Sequence, residues 1–174
     1  YAILHAVGSD ITPVMTEAVI HECEILFEEQ ANIVASVRAC SMFTHLSDRE
    51  IMKLVKYLEK VEYSAGDVII REGDTGAEMF LVENGICSVT KVGVQNGAEL
   101  RKYEAGEIFG ERALLGSKEG DETGETSNDL GIRSASVVAR GSVICLVLEK
   151  EDLERCLGAE AIATLRRKVQ AEER

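Results

Sequence analysis

Between Val61 and Leu148 the chain reads as a series of short β-rich runs, each closed by a turn signal within about ten residues. This rhythm constrains the fold more than any other feature. The runs are Asp67–Ile70, Met79–Glu83, Ile86–Val92, Leu100–Tyr103, Ala135–Ala139 and Val143–Leu148. The punctuation is Ala65-Gly66-Asp67, Glu72-Gly73-Asp74, Glu83-Asn84-Gly85 and Ala105-Gly106-Glu107. Runs this short at this spacing predict an antiparallel roll or barrel. Asn84-Gly85 has the composition of a type I′ turn and predicts a hairpin between the runs that flank it.

Helical patterns bracket the β-rich region. Residues 1 to about 40 read as helical, with Thr12-Pro13 as an entry and with Val19, Ile25, Leu26, Ile33, Val34 and Val37 roughly on one face of an acidic helix. A second helix opens at Ser47-Asp48-Arg49-Glu50, a capping box, and continues through Ile51, Leu54, Val55 and Leu58. Met42 and Phe43 precede that cap and supply apolar contact for its entry. After the last β run, Asp152–Leu157 and Ala161–Glu173 predict two helices that separate near Gly158. The fold class is therefore α+β, a β-roll flanked by N-terminal and C-terminal helices. Residues 116–132 break the rhythm with a polar, acidic stretch that reads as a flexible loop.

Composition narrows the function. A chain of 174 residues with 45% apolar content suits one core-bearing domain plus an extension. No run approaches the roughly 18 apolar residues of a membrane span, and no signal peptide is apparent. The formal charge of −12 argues against a nucleic-acid polymer, whose phosphates call for clustered Lys and Arg. Cys23, Cys40, Cys87, Cys145 and Cys156 are scattered without a CxxC pair, which reads as buried thiols in a reducing, cytoplasmic setting. His5, His21 and His45 all precede the roll, so a metalloenzyme barrel lacks its ligands and no metal or cofactor is expected.

Any anion bound by so acidic a chain must be held by a local device. The candidate is Phe109-Gly110-Glu111-Arg112-Ala113-Leu114-Leu115 followed, beyond the acidic stretch, by Arg133-Ser134-Ala135-Ser136. A short helix starting at Gly110 would point free N–H groups at an anion, and a residue without Cβ admits close approach. Glu111 cannot favour a phosphate, but its carboxylate suits a sugar hydroxyl, and Arg133 supplies the balancing charge as a planar donor fork. The same residues also fit an ordinary surface turn.

The FGERALL…RSASV pattern resembles the phosphate-binding cassette F-G-E-x-A-L…R-[AT]-A-x-V of cyclic-nucleotide-binding domains, and the flanking AGDVIIREGD and FLVENG segments resemble it too. The resemblance implies an eight-stranded jelly roll over 42–158, a helical extension over 1–41 and a lid helix over 159–174. It implies that the backbone of Gly110 and Ala113 and the side chain of Arg133 hold a cyclic phosphate, with Glu111 on the ribose 2′-OH and Ala135 among the ligand-binding residues. The sequence departs from the pattern at the long acidic insertion and at Ile132, where a proline often stands.

Within the family the chain is most similar to cGMP-dependent protein kinases. Ser134 follows the cassette Arg where cGMP-selective domains carry Thr, and Leu100-Arg101 matches a cGMP-selective pair nine residues before the cassette Gly. An Arg suits the O6 and N7 acceptors of guanine. Arg112 resembles the protozoan-type members, in which it would pair with the final helix at Glu172 and Glu173. The resemblance thus implies a non-catalytic regulatory module that binds cGMP, with cAMP the alternative, and a kinase catalytic domain in the same chain. A cAMP-dependent kinase regulatory subunit and a channel gating domain are the rival readings. A transcription regulator is disfavoured for want of a basic helix-turn-helix.

Overall fold

The computed structural model describes residues 17–93, 99–115 and 131–172. Thr12-Pro13 and most of the acidic stretch, 116–130, lie outside them. The chain divides into two compact units, one ending at Asn32 and the second beginning at Ile33. The described part of the first is the early turns of α1 (Glu17–Ala39), whose last turns belong to the second.

The second unit follows α1 with a 3-10 turn (Ser41–Phe43), α2 (Asp48–Leu54) and a further 3-10 turn (Val55–Tyr57). Then come β1 (Glu59–Tyr63), β2 (Val68–Ile70), β3 (Glu78–Asn84), β4 (Cys87–Thr90), β5 (Arg101–Tyr103) and β6 (Ile108–Phe109). The short helix α3 (Glu111–Leu115) interrupts the strands, β7 (Ser136–Ala139) and β8 (Val143–Glu149) resume them, and α4 (Lys150–Cys156) and α5 (Ala159–Glu172) close the chain. The eight strands form two antiparallel four-stranded sheets in the orders β1-β8-β3-β6 and β2-β7-β4-β5. This is the β-roll with terminal helices that the sequence predicts.

Local chemistry sets the start of α2. Ser47 and Glu50 make the capping box in full: Ser47 N donates to Glu50 Oε2 at 2.9 Å, and Glu50 N donates to Ser47 Oγ at 3.4 Å. Met42 and Phe43, just before the cap, are buried.

Alternation along β3 and β8 builds two cores from one sheet. Met79, Leu81, Leu146 and Leu148 face the helices and pack with Val37, Phe43, Leu54, Leu115, Leu153 and Leu165. Phe80, Val82, Val143 and Cys145 face the second sheet and pack with Ile70, Val89, Phe109 and Val137. Strands buried on both faces read as near-continuous apolar runs, which is why MFLV and VICLVL are the clearest strand signals in the chain.

Three expectations need correction. Asn84-Gly85 does not close a hairpin between β3 and β4, because both edges of β3 are already bonded, to β8 and to β6; the turn instead carries the chain into the other sheet. Two strands are absent from the runs read off the sequence. β1 (EKVEY) is mostly charged because it is a half-exposed edge strand, and β6 is only two residues long. Finally, Cys40, Cys87, Cys145 and Cys156 are buried free thiols, but Cys23 is exposed. Cys87 and Cys145 hydrogen-bond to each other inside the roll, and this bond together with burial pushes the Cys145 thiol up.

Two stability tests follow. Ser47→Ala should lower the unfolding free energy by about 1 kcal/mol, measured by urea denaturation. Hydrogen bonds from Ser47 hold the Glu50 carboxyl below its ordinary value of 4.5, so this contribution is present at neutral pH and fades as pH falls below that value. Leu146→Ala, at a fully buried β8 position, should cost about 2–5 kcal/mol.

Candidate functional site

The cassette is positioned by the backbone before any side chain contributes. Arg133 N donates to Asp74 O at 2.8 Å, Gly73 N donates to Arg133 O at 2.9 Å, and Thr75 and Ile132 form a β-bridge. Gly76 N donates to Gly131 O at 3.2 Å, and Glu72 N donates to the Ser136 hydroxyl at 2.9 Å. Residues 131–136 are thereby laid along the β2–β3 connection, and Arg133 is aimed into the roll.

The Arg133 side chain is only 7% exposed. Burying a guanidinium is costly unless its donors are satisfied and its charge is matched. Both conditions are met. Nη2 donates to Glu78 O at 2.9 Å and to Glu78 Oε2 at 2.7 Å, while Nη1 donates to Gly110 O at 3.3 Å. The guanidinium carbon also stands 6.0 Å from the centre of the Phe80 ring, which itself stacks on Phe109 at 5.0 Å.

Two glycines make room for this arrangement. Gly110 has φ +79°, and a Cβ there would lie 2.7 Å from Arg133 Nη1 and 2.9 Å from Glu78 O. A Cβ on Gly76 would lie 2.6 Å from Arg133 Nε and 2.8 Å from its Cζ.

Arg133 reaches a cavity of about 630 Å³ at the open side of the roll. The cavity brings together Arg101, Gly110, Glu111, Arg112, Arg133, Ser134 and Ala135 from the sequence-derived set. Its apolar wall includes Ile70, Val89, Tyr103, Phe109 and Val137. Leu100 is not part of the lining and is 49% exposed. Ala113 lies in α3, but its side chain is outside the described part, as is the side chain of Glu172 at the end of α5; Glu173 is outside it altogether. Pairing of Arg112 with that helix end therefore has no geometry here.

At the mouth, Arg101 Nη2 donates to Glu107 Oε1 at 3.1 Å, and its guanidinium carbon stands 4.6 Å from the centre of the Tyr103 ring. Glu107 Oε2 accepts from Glu104 N at 2.8 Å, so the carboxylate is fixed by the turn around Gly106. Burial pushes the Tyr103 hydroxyl above its ordinary value, and the nearby charge of Glu111 adds to the shift. Arg101 is exposed, Arg133 is buried, and both line one chamber.

Several residues that shape this chamber escaped the sequence reading. Glu78 and Gly76 are the partners that allow Arg133 to be buried, and only the nearby Glu72-Gly73-Asp74 turn signal hinted at them. Ser41 and Val169 also line the cavity, which brings α5 and the first 3-10 turn to its edge. α5 is held there by Arg166 Nε, which donates to Leu115 O at the end of α3 at 2.7 Å. Lys168 Nζ donates to Ser41 O at 3.0 Å and to Thr44 Oγ1 at 2.7 Å. The last helix is thus bonded both to the cassette helix and to the turn that follows α1.

The close approach at Gly110 makes a sharp prediction. Gly110→Ala combines backbone strain with a side-chain clash and should destabilise the fold by about 1–3 kcal/mol, read from urea unfolding. An unchanged midpoint would mean that Arg133 does not occupy this position.

The family model described as "Cyclic nucleotide-binding domain" matches residues 60–160. The chain is 32% identical over 134 residues to cGMP-dependent protein kinase 2 of Mus musculus, covering 75% of this chain and 16% of that protein. It is 37% identical over 129 residues to a cAMP-dependent protein kinase regulatory subunit of Neurospora crassa, covering 74% of this chain and 30% of that protein. Among solved structures, the regulatory domain of Toxoplasma gondii PKA with cAMP superposes with a TM-score of 0.67 at 23% identity, covering 85% of this chain and 52% of that one. The chain therefore spans about a sixth of the length of the cGMP-dependent kinases it matches. With the family model covering more than half of its residues, the chain belongs to the cyclic nucleotide-binding domain family.

Proposed function

We propose that this chain is a regulatory module that binds cGMP in the cavity bounded by Arg133 and Arg101, and that binding relieves autoinhibition of a serine/threonine kinase domain in the same protein. On this reading residues 1–41 are a helical linker, 42–158 the nucleotide-binding roll and 159–174 the lid.

The observation that carries the reading is the buried guanidinium of Arg133. Three of its hydrogen bonds go to Glu78 and Gly110, and a guanidinium has five N–H donors. Among the described residues two donors are left for an anion, at a position where the rest of the chain, with its net charge of −12, would repel one. The cyclic phosphate of the ligand fits this place, flanked by the backbone of Gly110 and Ala113 and by Ser134 and Ala135. Glu111, on the same wall, takes the ribose 2′-OH.

The base extends toward Arg101 and Tyr103. Arg101 presents a planar donor fork suited to guanine O6 and N7, and Ser134 offers a hydroxyl to the guanine 2-amino group. The second reading is cAMP. It is favoured by the 37% identity to a cAMP-dependent kinase regulatory subunit and by the exposure of Arg101, whose pairing with Glu107 already engages part of its fork.

Signal transfer follows from the bonds of α5. Because Arg166 bonds the last carbonyl of the cassette helix and Val169 lines the cavity, movement of α3 toward a bound phosphate shifts the position α5 prefers.

Calorimetric titration with cGMP and cAMP tests the assignment. Arg133→Ala should weaken binding of either nucleotide by about 2–4 kcal/mol, since it leaves the phosphate charge without its partner. Arg101→Ala should leave cAMP affinity nearly unchanged and reduce the preference for cGMP by about 1–3 kcal/mol. Wild-type affinity in Arg133→Ala would overturn the site. An unchanged cGMP-to-cAMP ratio in Arg101→Ala would overturn the cGMP reading while leaving the site intact.

A further inference from the structure

Most large apolar side chains that reach solvent in the second unit do so singly: Met52, Tyr57, Val68, Ile86, Val92 and Ile132 are spread along its length. Isolated exposures of this kind are ordinary. Helix α1 is different. Ile20, Ile25, Leu26 and Phe27 fall within two turns and are 46%, 44%, 59% and 76% exposed. A contiguous exposed apolar cluster marks a contact surface.

The helical repeat sorts these residues. At about 100° per residue, Ile20, Cys23, Leu26 and Phe27 share one side of the helix, and Ile25 falls off it. Glu24 and Glu28 run along one margin of that side, and Glu22 and Glu29 run along the other. All four carboxylates are exposed. From residue 17 to residue 37 the sequence has no Lys or Arg, and the helix's one Arg, Arg38 in its last turn, pairs with Asp48, so no Lys or Arg within this stretch balances them.

This pattern selects the occupant. A second copy of the same helix would place glutamates against glutamates at both margins, which disfavours pairing. An anionic lipid surface is excluded by the same charge. The complement is a helix with an apolar strip bordered on both sides by cations, the arrangement in which an amphipathic helix lies on an apolar face and reads its anchors at i, i+3, i+4 and i+7. We propose that the stretch of α1 from Ile20 to Glu29 is a docking surface for a basic amphipathic helix, with Ile20, Cys23, Leu26 and Phe27 as the apolar seat and with Glu22, Glu29, Glu24 and Glu28 as paired acidic rails. Phe27, the most exposed and the largest, is the central anchor.

The test uses the full chain and a defined probe: a fluorescein-labelled Leu/Lys peptide of about fourteen residues with leucines at i, i+3, i+4 and i+7. A scrambled peptide of equal composition, and hence equal charge, is the control. Fluorescence anisotropy should give binding of the patterned peptide at least about tenfold tighter than the scramble, and the difference should shrink as salt is raised. The double variant Ile20→Ser/Phe27→Ser keeps every carboxylate and should lose the tenfold preference, with its helix content by circular dichroism and its nucleotide titration unchanged. Glu24→Gln/Glu28→Gln should weaken the patterned peptide and flatten its salt dependence. Equal binding of both peptides, or a preference that survives Ile20→Ser/Phe27→Ser, would overturn the proposal. So would a dimer of the free chain in sedimentation that dissociates in that variant.

Discussion

The structure turns on a guanidinium kept out of water. Arg133 is buried among Phe80, Gly76, Gly110 and Glu78, and its charge there is tolerable only because one carboxylate and two carbonyls accept its hydrogen bonds. Breaking such a pair is far costlier than its net worth would suggest, since the surviving charge is left buried and unmatched. The demand reaches well beyond the pocket. It requires a backbone without Cβ at two positions, a β-bridge that carries residues 131–133 along the β2–β3 connection, and a carbonyl at Gly110 turned inward by a positive φ.

The sheet that carries Glu78 and Phe80 is also the one that carries the helices. β3 sends Phe80 and Val82 toward the second sheet, and it sends Met79 and Leu81 toward α4, α5 and the first 3-10 turn. One strand thus meets Arg133 and the second sheet with alternate side chains and the helical layer with the others. The polar links run the same way, from the end of α3 through Arg166 into α5, and from α5 through Lys168 to Ser41 and Thr44. A displacement of the cassette helix meets the C-terminal helix directly, with no intervening loop.

Much of this was readable beforehand, and the parts that were not share a cause. The capping box at Ser47, the helices after Glu149 and the strands MFLV and VICLVL are written in neighbouring residues, and the structure has them within a residue or two of the predicted bounds. The pocket residues from Gly110 to Arg112 and from Arg133 to Ala135 could be named because the cassette pattern is contiguous on each side of the acidic stretch. Glu78 was missed because its partner lies 55 residues away and no local pattern links the two. Arg166 was missed for the same reason, since it answers a carbonyl 51 residues earlier. β1 escaped because an exposed edge carries charge where a central strand carries valine. The error at Asn84-Gly85 was of another kind. The turn chemistry was sound, but turn chemistry cannot tell which strand edges are already taken.

The chain's charge makes holding an anion demanding. A protein of net charge −12 that gathers an anion must confine the attraction to a few ångströms, and a buried guanidinium with donors to spare is a way to do so. A crystal structure of the chain grown with cGMP tests this most directly. The account requires the cyclic phosphate within hydrogen-bond distance of the Arg133 guanidinium and beside the backbone of Gly110, with Glu78 still bonded to the far side of the same group. A nucleotide bound elsewhere, or a phosphate that leaves Arg133 engaged with protein atoms alone, would contradict it.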